Sequence, residues 1–143
     1  MVDKSILFEA KAFLCWDKFP QLTIKLIPIR DEVAFFYPPS KDASTIVLFY
    51  NPKNKDFSHS LFLLFHEVGH FQQWLAYSAQ NRSEEYWELI HVDKCEGKIR
   101  FEQEAWTFAH KLILDFSQKQ QMQTTSLLEK LNPFIEECIQ SYL

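Results

Sequence analysis

The sequence predicts an α+β fold: an N-terminal helix, a small three-stranded, mostly antiparallel sheet, then a helical second half. Three observations carry this reading. Apolar residues recur at helical spacing ahead of Pro20. Three short β-branched or aromatic runs fall between Leu22 and Tyr50, bounded by prolines. Beyond Asn51 the chain is rich in helix formers with helical periodicity.

In order, Ile6, Phe8, Ala12, Phe13, Leu14 and Trp16 mark a helix from Ser5 to Phe19, closed off near Pro20. Leu22 to Ile29 alternates as LTIKLIPI, and Val33 to Tyr37 and Thr45 to Tyr50 follow as strands, with Pro38 and Pro39 ending the second. A long helix over Phe57 to Ala79 has Asp56 and Ser58 as candidate N-caps. A shorter one near Glu84 to Ile90, one from Lys98 to Gln120 and a last one from Thr125 to Tyr142 complete the chain. The stretch Gln80 to Lys98, polar around Tyr86, Trp87 and His91, is the least regular and a candidate loop over a cleft.

A chain of 143 residues, 47% hydrophobic and with only two glycines, suits one ordered domain over 1–143 that needs no staples. A net charge of -4 gives no general attraction to nucleic acid or anionic lipid, which argues against direct binding to either. Three widely spaced cysteines, Cys15, Cys95 and Cys138, do not suit a disulfide framework, and a reducing cytoplasm is the expected location. The segment MVDKSILFEAKAFLCWDKF carries charges through its apolar stretch and is not read as a signal peptide. No run approaches the roughly 20 apolar residues of a membrane span.

The chemistry concentrates in His66-Glu67-Val68-Gly69-His70. Residues four apart on a helix share a face, so both imidazoles can converge on one cation. Glu67 points about 100° around the helix from His66, beside the ion but off the ligand axis, where a base for an activated water belongs. This is the H-E-x-x-H pattern of zinc proteases. Phe62, Leu63, His66, His70, Trp74 and Tyr77 form one inward stripe. Two histidines in such a stripe also fit an ordinary core, but a glutamate buried between them would be costly without a cation.

A catalytic zinc ion takes three protein ligands and keeps one position open. The extended motif H-E-x-x-H-x-x-G-x-x-H is excluded because Gln73 and Ala76 stand where glycine and histidine are required. The third ligand is sought in Phe101-Glu102-Gln103-Glu104-Ala105-Trp106-Thr107-Phe108-Ala109. Glu102 shares a face with Ala105, Trp106 and Ala109, whose two alanines allow close helix approach. That favours Glu102, with Glu104 as the alternative ligand or a supporting group.

At these residues the chain resembles the ImmA/IrrE metallopeptidases, and more loosely other zincins whose third ligand is a glutamate in an E-x-x-A-[DN] helix. The resemblance covers Thr45 to Phe116. It implies a minimal zincin-like metallopeptidase fold, one zinc ion held by His66, His70 and Glu102, Glu67 as catalytic base, and a protein substrate such as a transcriptional repressor. Two departures stand out. Trp106 occupies the place of the Asp or Asn that would orient a ligand histidine, so another acceptor must do so. A helix-turn-helix domain is absent from the pattern.

The expected activity is therefore that of a zinc metalloendopeptidase, with an extended peptide pairing along the strand Thr45 to Tyr50. His91, Tyr86 and His110 are candidate substrate or oxyanion contacts, though each also fits a packing or surface role. The competing reading is a catalytically idle zinc-binding or partner-recognition module, in which His91 and Cys95, spaced H-x-x-x-C on a helix, would close the coordination shell.

Overall fold

The computed structural model describes residues 1–40 and 43–143, the side chains of 38–40 excepted. It falls into two compact units, Met1–Glu67 and Val68–Leu143.

In the first unit, helix α1 (Lys4–Ala12) runs on into a π-helical stretch, Phe13–Lys18, closed by a bond from Phe19 N–H to the Leu14 carbonyl at 2.8 Å. Three strands follow: β1 (Leu22–Pro28), β2 (Val33–Ser40) and β3 (Ala43–Tyr50). Their spatial order is β1-β3-β2. β1 lies parallel to β3, in register from Leu22 opposite Ser44 to Pro28 opposite Tyr50, and β2 lies antiparallel to β3. The sheet is thus mixed, with one pair of each kind, and the expectation of a mostly antiparallel sheet is corrected. The cause is the insertion of β3 between its two predecessors, which the IVLFY run fits: Ile46, Leu48 and Tyr50 are buried while Val47 and Phe49 on the other face are half-covered.

The same topology removes the expected role of Thr45 to Tyr50 as a docking edge, since β3 has a neighbour on both sides. Pro38 and Pro39 do not end β2; the strand reaches Ser40, but regular pairing is interrupted between Tyr37 and Ser40. Proline cannot donate to a ladder, and β2 is an edge strand where that is tolerated.

Helix α2 (Ser58–Ala79) begins where the Asp56 carboxylate accepts bonds from Ser58 N–H at 3.1 Å, the Ser58 hydroxyl at 2.6 Å and Val2 N–H at 3.0 Å. Its burial is wider than one stripe: Leu61, Phe62, Leu64, Phe65, Val68 and Phe71 are all buried together with both histidines.

The second unit holds the rest of α2 with α3 (Ser83–His91), α4 (Lys98–Lys119) and α5 (Thr124–Gln140). α2 and α4 end alike. Arg82 N–H bonds the Tyr77 carbonyl and Asn81 N–H that of Ser78; Met122 N–H bonds Ser117 and Gln121 N–H bonds Gln118. Asn81 (φ 57°) and Gln121 (φ 54°) take the left-handed conformation this closure requires. Within the stretch expected as a loop over the cleft, α3 takes up Ser83–His91 and is fixed by Tyr86, which is fully buried against Trp74, Tyr77 and Phe101. No described helix is long and apolar enough to cross a membrane.

Candidate metal centre

His66 and His70 lie one turn apart on α2, and Glu102 on α4. All three are buried, at 9%, 3% and 2% exposure, and each offers a ligand atom within 4.8 Å of the others. Ionisable side chains gathered this closely away from water need a compensating charge, and a metal ion fits the set. Glu67, next to His66, is half-buried.

Close approach of α4 is permitted by Gly69. A Cβ on Gly69 would stand 2.2 Å from the Ala105 carbonyl oxygen, so the α4 backbone occupies the space a side chain would need. Glycine in a helix interior costs about 1 kcal/mol relative to alanine, and this contact explains its presence. The small residue Ala105 completes the approach, as the spacing of Glu102 and Ala105 predicts.

His70 is held on three sides. Its ring stacks on Phe101 at 5.3 Å and 27°, its Nδ1 lies 2.8 Å from Gln73 Oε1, and its Nε2 lies 3.1 Å from Glu102 Oε2. Gln73 is itself fully buried, and its Nε2 donates to the Phe101 carbonyl at 2.7 Å and to Glu104 Oε1 at 2.9 Å. Since both those partners only accept, the amide can face one way alone, and its oxygen must receive a proton from His70 Nδ1. Nε2 then faces a carboxylate oxygen, with either a second proton or an ion to bridge the two. Two acceptors at 3.1 Å repel unless a cation, a proton or a metal, stands between them. The donor set therefore fits a metal ion.

The acceptor on His70 Nδ1 is thus Gln73, not a residue at position 106. Trp106 is buried and packs edge-on against Phe134 at 5.9 Å. Glu104 bonds Gln73 and so supports the site from one layer out; Glu102, not Glu104, stands in the group of candidate ligands.

The other candidates lie elsewhere. The Tyr86 hydroxyl donates to the His70 carbonyl at 3.2 Å, which gives it a structural task in place of a substrate contact. His91 stacks on Trp87 at 5.4 Å and 14° at the end of α3. His110 lines a groove between α4 and α5 with Trp106, Leu114 and Ile139. Cys95 lies beyond the end of α3 and is exposed, so His91 and Cys95 do not share a helix, and neither belongs to the group of candidate ligands.

Residues the sequence reading passes over are Gly69, Gln73 and Lys98. A signal existed for Gln73: an amide three residues after a ligand histidine, on the same face of an apolar helix, is placed to bond its ring. Comparison with protein-family models, characterised proteins and solved structures finds no match for this chain.

Proposed function

We propose that this chain is a zinc-dependent metalloendopeptidase of the ImmA/IrrE type, acting on an intracellular regulatory protein such as a repressor. The observation that carries the reading is the opposition of His70 Nε2 and Glu102 Oε2 at 3.1 Å, with His70 Nδ1 engaged by Gln73 Oε1 and Glu67 next to His66 in sequence. A purely structural site has no need of Glu67. Two imidazoles and one carboxylate match the His2Glu set of zinc peptidases and leave a coordination position free.

Zinc held there would polarise a peptide carbonyl and make a water molecule acidic enough to lose its proton near neutral pH. The Glu67 carboxylate receives that proton and returns it to the departing amine. His66, His70 and Glu102 would hold the ion, and Gln73 would keep the His70 ring in its binding tautomer. The substrate class rests on the family resemblance alone.

The test compares wild type with Glu67→Gln on a peptide mixture, read by mass spectrometry of new termini. Both proteins should carry stoichiometric zinc, and the variant should cleave about 10²–10⁴-fold more slowly. Equal rates in the two would sink the hydrolytic mechanism.

A further inference from the structure

Lys98 is a buried cation, 4% exposed, at the first residue of α4. An ammonium group out of water is costly unless its three donors are met. Here Nζ lies 2.8 Å from the Leu89 carbonyl, 3.5 Å from that of Ile90 and 3.2 Å from Glu102 Oε1. Leu89 and Ile90 are in the last turn of α3, whose carbonyls lack helical partners and carry the negative end of the helix dipole. The Phe101 and Tyr142 rings flank the group at 5.4 and 5.6 Å. The end of α3 and these rings hold the ammonium in place independently of Glu102.

Its position is poor for helix stability. A cation at a helix N-terminus opposes the dipole, and a lysine four residues before a glutamate is the weaker order for an ion pair on a helix. What the position does achieve is occupation of one carboxylate oxygen. Glu102 Oε1 faces Lys98, and Oε2 faces His70 Nε2.

We propose that Lys98 is a positioning residue that makes Glu102 a one-oxygen metal ligand: by holding Oε1 it leaves Oε2 alone to bind, and so keeps a coordination position free. The inference rests on the metal-binding reading of the site. Without Lys98 the carboxylate can turn and present both oxygens, filling the position that water or substrate requires.

The experiment loads wild type, Lys98→Met and Lys98→Arg with zinc for affinity and X-ray absorption, and with cobalt(II) for the visible spectrum. Wild type should show a single Glu102 oxygen on the ion. Lys98→Met should shift the cobalt bands toward higher coordination as the second Glu102 oxygen joins the ion. Lys98→Arg, which keeps a charged donor, should restore most of the wild-type spectrum. A merely stabilising lysine would lower the melting temperature of Lys98→Met and leave the coordination spectrum unmoved. A wild-type cobalt spectrum in Lys98→Met would overturn the proposal while leaving the metal site standing. So would both Glu102 oxygens on the ion in wild type, a measurement that decides the matter even if Lys98→Met does not fold. Failure of wild type to bind either ion would remove the metal reading itself.

Discussion

Gln73 gives both amide protons to Phe101 and Glu104 and turns its oxygen to His70, so replacing it should affect metal binding first. Gln73→Leu removes the acceptor that fixes the His70 tautomer and should weaken zinc binding about 10–100-fold, read by competition with a chromophoric chelator. Unchanged affinity would show that His70 orients itself. Cys138 offers a second test at this scale. Burial first, then Glu137 and Glu102, push its thiol from 9.0 up to about 11. At pH 8 a shift of that size cuts the thiolate fraction roughly a hundredfold, while the more basic thiolate is almost tenfold more reactive, so alkylation should be about tenfold slower than for an ordinary thiol. Iodoacetamide mapping should therefore label the exposed Cys95 well before Cys138, and the reverse order would contradict the packing around Cys138. The sign also bears on stability. Between pH 9 and about 11 the folded chain keeps a proton that the unfolded chain releases, so stability falls as pH rises through that window. Of the residues at the centre, His66 and His70 were legible from helical spacing, whereas Glu102, on another helix, was favoured over Glu104 only by its small neighbours Ala105 and Ala109. Gln73 and Lys98 were not, because a lone amide or lysine in a helix reads as surface until its burial is seen.

At the scale of elements, helices were legible and strand partners were not. Helical periodicity is a local property, so α2, α3 and α4 fall within a residue or two of their expected bounds. Pairing is non-local: β1, β2 and β3 each look like strands, but nothing in their alternation says that β3 lies between the other two. The continuous IVLFY run was the available hint of a central strand. Helix ends make a quantitative prediction. Gln121 pays about 1–2 kcal/mol for its left-handed backbone, and glycine there would avoid that at an entropic cost of about 0.5–1 kcal/mol. Gln121→Gly should thus stabilise by about 0.5–1 kcal/mol in urea unfolding; destabilisation would mean that the Gln121 side chain contributes contacts of its own. Gly69→Ala should act oppositely. Its Cβ meets backbone oxygen at 2.2 Å, which no rotamer can relieve, so a loss near the upper end of the 1–3 kcal/mol seen for overpacking is expected. A tolerated alanine would mean that α2 and α4 separate at little cost.

For the molecule as a whole, metal binding and folding should be linked, because buried His66, His70 and Glu102 come together only in the folded chain. A ligand that binds the native state alone adds about 2.7 kcal/mol at a free concentration 100 times its Kd. For a chain of this size each kcal/mol moves the melting temperature by about 2–4 °C, so saturating zinc should raise it by roughly 5–10 °C over a chelator-treated sample. Magnesium should not do so, since it prefers an octahedral shell of oxygens to a buried set with two imidazoles. The shift should shrink as the solution is acidified, because protons compete for the same imidazole and carboxylate atoms. His70→Ala supplies the decisive control: it should melt without regard to zinc. An equal rise in that variant would place the stabilising ion elsewhere on the molecule, whereas a rise confined to wild type ties the stability of the fold to the candidate site.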